Sequence, residues 1–250
     1  MTKIYTAIAL GLIVITCAAA YLLQQQQRLE TPNNQVLNIA QEMDSDPKKQ
    51  QEINTLAHAG HPLAMRLLAD QAKTNIASWP QALAWYQKAA DAGDDSARFE
   101  AAMMHLQGQG ASENPQLARR ELAQLTTLPR AQYRLGLMLI YGQGGAVDTA
   151  KGQQLIMAAA QGQDKMALFL LANWYLSGEG NRPKDEQKAL QYFEAAANRQ
   201  YPPAMQTLAL AYETADLGLK MDLARAQTLR SMAEHIAQCK DQHNDVVKLF

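Results

Sequence analysis

Five alanines open the same helical pattern along this chain: Ala64, Ala97, Ala131, Ala167 and Ala204, spaced 33, 34, 36 and 37 residues apart. Four positions after each anchor stands Leu68, Ala101, Leu135, Leu171 or Leu208, and the next position is always small: Ala69, Ala102, Gly136, Ala172 or Ala209. Eleven residues after three of the anchors the chain reads Gly-x-Gly, at Gly108-Gln109-Gly110, Gly142-Gln143-Gly144 and Gly178-Glu179-Gly180. A fixed period of this size marks a stack of helical units, none of which buries its apolar face alone. The spacing therefore predicts an all-α chain, a stacked array of helix–turn–helix repeats, and a binding scaffold as the class of function.

The bulk properties narrow this further. A length of 250 residues would ordinarily suggest one or two domains, but the repeat predicts one elongated array. A net charge of -1 and a pI near 6.5 exclude an electrostatic case for nucleic acid, which needs a clustered basic surface. The only adjacent basic pairs are Lys48-Lys49 and Arg119-Arg120. Beyond the N-terminal segment no β-branched run alternates with period two, so no sheet is expected. Cys17 and Cys239 are the only cysteines, which leaves the repeats to be held by packing and not by disulfides.

Lys3 precedes an uncharged stretch, Ile4 to Leu23, of the length that crosses a hydrocarbon core as a helix. An uncleaved signal anchor fits that length. A cleaved signal peptide fits Ala18-Ala19-Ala20, and a lipoprotein would use Cys17, although Thr16 suits that processing poorly. Lys3 and the α-amino group, against Arg28 alone on the other side, favour a cytoplasmic N-terminus. The leading expectation is thus a single-pass protein held in a bacterial inner membrane through residues 4–23, with the repeats in the periplasm. After the anchor (1–23), residues 24–46 read as a polar tether in which Val36, Ile39, Ala40 and Met43 could form a short amphipathic helix. The array is expected over 47–237, about five repeats preceded by a cap helix that Asp46 and Pro47 begin, with 238–250 as a tail or helix end; it reads as a complete array.

Within the unit, Pro80, Pro115 and Pro183 fall where a second helix should start, since the first turn leaves their missing N–H unneeded. A bulky pair follows in three units (Trp85-Tyr86, Leu155-Ile156, Tyr192-Phe193), and then Ala89-Ala90, Ala159-Ala160 or Ala196-Ala197. This residue set resembles the Sel-one-like repeat, a relative of the tetratricopeptide repeat. Its pattern is matched closely by Ala82 to Gly93 (ALAWYQKAADAG) for the second half, and by Ala131 to Gly144 and Ala167 to Gly180 for the first. Some units depart from it. Asn75 replaces the glycine turn in repeat one, repeat two has Leu125-Thr126 for Ala-Ala, and repeat five carries Ala215 at the glycine position. The resemblance implies a right-handed α-solenoid that scaffolds or recruits other proteins, often in signalling or at membranes.

Catalytic and cofactor chemistry finds little support. Each Gly-x-Gly closes a helix with no strand before it, so glycine there supplies a left-handed cap and not a phosphate loop. His58 and His61 straddle Gly60 at a turn between repeats, and His105 stands where the resemblance puts an aromatic, which suggests a packed side chain. His235, Cys239 and His243 share one helix face at four-residue spacing and are the best metal candidates. Three successive turns span too far for one ion to meet all three. No nucleophile constellation is present, and no enzyme activity or cofactor is expected.

Helical-wheel geometry puts positions 0, 4, 5 and 8 of each first helix on the packing side and positions 3, 6 and 10 on the other. The outward set includes Glu100, Met103, Arg134, Leu137, Tyr141, Leu170, Asn173 and Leu210, flanked by residues such as Asp70 and Ser177. In related solenoids the first helices line the concave face, and a groove of this mixed character would take an extended or helical peptide. The bland alternative is that several of these residues pack on neighbouring helices. The function expected is a membrane-anchored adaptor for a protein or peptide partner in an envelope complex. The alternative is a soluble periplasmic or secreted repeat protein with enzymatic or inhibitor-like activity, freed by signal cleavage.

Overall fold

Most helices of this protein begin at a side chain that accepts from the otherwise unpaired N–H groups of the first turn. Asp46 accepts from Lys48 N–H, Asp94 from Ala97, Asn114 from Leu117, Asp148 from Lys151, and Asp185 from Lys188, at 2.8–3.0 Å. Proline at the first turn adds a fixed φ at no hydrogen-bond cost. The computed structural model describes residues 20–180 and 182–242, with side chains as far as residue 238, and these fall into two compact units divided between Glu113 and Asn114.

In the first unit residues 20–29 are helical, followed by α1 (Asn33–Gln41), α2 (Pro47–His58), α3 (Pro62–Lys73), a 3-10 turn (Ile76–Ser78), α4 (Trp79–Asp91) and α5 (Asp95–Gln107). From α1 onward, neighbours in this order pack on one another, around a core that runs from Val36 and Ile53 through Leu68 and Tyr86 to Met104. Residues 24–46, expected as a tether, are therefore helical for most of their length. Val36 and Ile39 are buried, as the amphipathic pattern required, and the imidazole of His61 ties the stretch down. Its Nε2–H donates to the Thr31 carbonyl at 2.8 Å while Nδ1 accepts from Ala64 N–H as the cap of α3.

The second unit comprises α6 (Pro115–Leu122), α7 (Pro129–Tyr141), α8 (Thr149–Gln161), α9 (Lys165–Ser177), α10 (Glu186–Asn198), α11 (Pro202–Thr214) and α12 (Leu223–Gln242). The pairs α7–α8, α9–α10 and α11–α12 are helix–turn–helix repeats, joined by α8 against α9 and α10 against α11. Pro183 does not start the second helix of its repeat. Residues 182–184 form no regular structure, and α10 waits for Asp185, whose carboxylate caps it and whose N–H donates to the Tyr175 carbonyl at 2.8 Å. An available cap outcompeted the proline two residues earlier.

All five anchors are fully buried, as are Ala69, Ala102, Ala172 and Ala209 in the small column. At Gly136 a Cβ would stand 2.8 Å from the Gly152 carbonyl oxygen, so α7 and α8 meet backbone to backbone there. The second member of each bulky pair, Tyr86, Ile156 and Phe193, is core; the first is half-buried. Position 7 after the anchor is a buried column that the wheel analysis passed over: Met104, Met138 and Trp174. Seven residues fall about 20° short of two full turns, which leaves this position beside the anchor.

Gly108, Gly142 and Gly178 close α5, α7 and α9 in the left-handed conformation, at φ 67°, 68° and 80°. The second glycine has another task. A Cβ on Gly110 would lie 2.5 Å from the Trp79 carbonyl oxygen, and one on Gly144 would overlap that of Pro115. Each turn thus rests on the backbone at the start of the preceding repeat's second helix. Ala215 occupies the left-handed cap position without being glycine, at φ 58°. We expect Ala215→Gly to stabilise the protein by about 1 kcal/mol. Gly144→Ala, which adds backbone overlap to left-handed strain, should cost roughly 2–4 kcal/mol. Denaturant midpoints of the two variants check both values.

Candidate protein-interaction face

The first helices of the repeats carry the residues expected to meet a partner, and the two units use them differently. In the first unit the polar ones are engaged internally. Arg66 on α3 donates from Nε to Asp94 Oδ2 at 3.0 Å and reaches Asp70 Oδ2 at 3.5 Å. The Tyr86 hydroxyl donates to Asp70 Oδ1 at 2.5 Å, and Lys73 Nζ pairs with Glu100 Oε2 at 2.8 Å. Partial desolvation pushes the Asp70 carboxyl above its ordinary range, with the Tyr86 hydrogen bond and Arg66 opposing the rise. Asp70 and Glu100 therefore tie α3 to α4 and α5. Met103 does not line a groove: it is only 7% exposed. Five consecutive residues of α5, Ala101 to His105, are buried, which is more than one helix face and means that α5 is covered on two sides.

In the second unit the expected face is more open. Tyr141 and Leu210 are 71% and 53% exposed, while Arg134, Leu137, Leu170 and Asn173 are half-buried. Leu137 and Leu170 also pack against the core, so they form its floor. Asn173 donates to the Phe169 carbonyl at 2.8 Å and Ser177 to the Asn173 carbonyl at 2.9 Å, which holds both side chains along α9.

Two tyrosines beside this face were not among the residues anticipated. Tyr133 on α7 is half-buried, and burial first, then Tyr201 nearby, pushes its hydroxyl up to about 12. Tyr201 precedes α11 at the position where Asp94 and Asp164 cap α5 and α9; it meets Phe169 edge-on at 5.3 Å, and burial raises its hydroxyl too. A tyrosine in place of a capping aspartate is the signal that could have revealed it. Burial raises the Asp164 carboxyl while the N–H groups of Ala167 and Met166 oppose the shift, and burial lowers Arg134.

The other candidates fall away from this face. His105 is buried and accepts from the Gln87 amide at 3.1 Å, and His58 meets Trp85 edge-on at 5.3 Å. Of the proposed metal ligands only His235 has a described side chain; that of Cys239 and the whole of His243 lie outside the described residues. Among the described residues no group of three or more His, Cys, Asp or Glu is placed to hold a metal.

The Sel1 repeat matches residues 80–94, 95–120, 129–163 and 165–201. This chain carries Sel1 repeats. The match omits the first helix of repeat one and the fifth repeat, the two units without a glycine turn. The structure is similar to that of a Sel1 repeat protein from Oxalobacter formigenes, with 25% identity, TM-score 0.69, and 80% of this chain and 86% of that one covered. It also resembles c5321, a protective antigen of uropathogenic Escherichia coli strains with an SLR fold (18% identity, TM-score 0.64), covering 86% of this chain but 48% of that one. The immunity protein Pa5087 from Pseudomonas aeruginosa shares the fold at 18% identity and TM-score 0.56, over 85% of this chain and 86% of that one. No curated protein is similar enough to count as a match.

Burial lowers the pKa of His105 from its ordinary 6.5, so the unfolded chain takes up this proton more readily than the folded one. Stability is then lost as pH falls below about 6.5. Exchanging this histidine for the aromatic usual in Sel1 repeats, His105→Phe, should flatten the melting temperature between pH 7 and pH 5, and calorimetry at several pH values checks it.

Proposed function

We propose that this Sel1-repeat protein is a non-catalytic interaction scaffold that takes a protein or peptide segment on the first-helix face of its second unit. The observation that carries this reading is the combination on α7, α9 and α11: apolar side chains left exposed at Tyr141 and Leu210, a half-buried apolar floor at Leu137 and Leu170, and polar groups at Arg134 and Asn173. Such a mixture suits recognition of an amphipathic or extended segment, in which anchors fill the floor and polar groups set the register. The internal ion pairs of the first unit support a different role for its helices, that of holding the stack.

We further propose that residues 4–23 anchor the chain in a bacterial inner membrane, with the repeats in the periplasm serving an envelope complex. This rests on the length and lack of charge of that stretch and on Lys3. Residues 1–19 lie outside the described part, and among the described residues no helix is long and apolar enough to cross a membrane. Ala18-Ala19-Ala20 favours a second reading, a soluble protein released by signal cleavage. N-terminal sequencing of the mature protein separates them: a start at Tyr21 would sink the anchor.

The double substitution Arg134→Glu with Tyr141→Ala should abolish crosslinking of the natural partner while leaving helicity and melting unchanged. Recovery of the same crosslinked proteins by variant and wild type would remove the face from consideration.

A further inference from the structure

Cationic side chains around the second unit mostly meet a partner. Arg119 donates to the carbonyls of Gln143 and Ala146, Arg182 to that of Gly180, and Arg230 to Glu213. Arg134 does not. It sits half-buried on α7, and among the described residues no hydrogen bond, ion pair or ring contact meets its guanidinium. The titratable group that acts on it is the Tyr133 hydroxyl, with no carboxylate beside it. Asp164, the acid whose charge acts on both Tyr133 and Tyr201, is occupied as the cap of α9, accepting through Oδ1 from Met166 and Ala167 N–H at 3.1 and 2.9 Å. The hydroxyls of Tyr133 and Tyr201 likewise have no hydrogen bond among the described residues.

A partly desolvated cation without a counter-charge is unfavourable in the free protein, and a planar guanidinium is built to take a carboxylate through two parallel hydrogen bonds. The surroundings say which carboxylate. Leu137 and Tyr141 continue the face along α7, and Leu170 and Leu210 occupy the same face of α9 and α11. A segment that covers these groups passes over Arg134 and does not end there. We propose that Arg134, with the Tyr133 hydroxyl as a second donor, receives an aspartate or glutamate side chain within an extended acidic–apolar peptide segment. This deepens the interaction-face reading and rests on it.

Two experiments test it. The first needs no ligand: replacing a desolvated, unpaired charge by a neutral group should leave the melting temperature of Arg134→Gln unchanged or raise it. A fall of several degrees would mean that Arg134 serves the fold, and would overturn the proposal. In the second, random twelve-residue peptides displayed without a free C-terminus are selected on the wild-type protein. Peptides blocked at both ends are then titrated by fluorescence anisotropy. Enriched sequences should carry an acid next to apolar residues. Arg134→Gln and conversion of that acid to its amide should each weaken binding at least tenfold, and together no further than either alone. Arg134→Lys should retain part of the affinity. Enriched peptides without an acid, or effects that simply multiply, overturn the carboxylate assignment and leave the interaction face standing. If Tyr141→Ala and Leu210→Ala do not weaken any selected peptide, the interaction face falls and the proposal with it.

Discussion

Everything in this structure depends on helices approaching until backbone meets backbone. Gly136 and Gly152 touch across α7 and α8, and alanines hold the equivalent column elsewhere without any exposed surface. A larger side chain at these positions would separate the helices and open space that Tyr86, Ile156 and Phe193 fill only at the present distance. The same economy governs the turns. Gly110 and Gly144 lie so close to the carbonyls of Trp79 and Pro115 that a single methyl group would displace them. Stacking is therefore set by small residues, and the bulky ones fill the space that those define.

Around this packing the polar groups divide into two populations. Aspartates and asparagines at helix starts satisfy backbone N–H groups, and Arg66, Lys73, Asp70, Asp94 and Glu100 bind α3, α4 and α5 together. These have what they need within the protein. On or beside the first helices of the second unit, Arg134 and the hydroxyls of Tyr133 and Tyr201 have no such partner among the described residues, and they stand beside exposed apolar groups. A folded chain satisfies its buried polar groups wherever it can. Where several half-buried ones without an internal partner gather on one face, an outside partner is the economical explanation.

Much of the fold was legible because its rules are local or strictly periodic. The alanine anchors, the small column, the left-handed glycines and the capping aspartates each announce themselves by residue type and spacing, and they stand where the pattern put them. Pro183 misled because a proline marks a permissible helix start, and the competing cap at Asp185 was the stronger one. Met103 misled because a wheel describes one helix in isolation, while α5 is covered on two sides. Residues 24–46 read as a tether around one amphipathic stretch; Val36 and Ile39 kept to that pattern, but the His61–Thr31 hydrogen bond that ties the segment down joins residues 30 apart and has no local signal.

The sequence by itself determined the repeat, its period, which residues close each helix and which are too small to keep neighbours apart. These follow from backbone geometry, which acts over a few residues and repeats with the chain. Only the tertiary structure decided which polar groups on the first helices would find partners. Asp70 and Glu100 looked as available as Arg134 on the wheel, but their fate turned on Tyr86 and Lys73, side chains 16 and 27 residues away brought close by stacking. Pairing of charges is a property of distance in space, and a repeat that places equivalent positions on one face does not say which of them will be met.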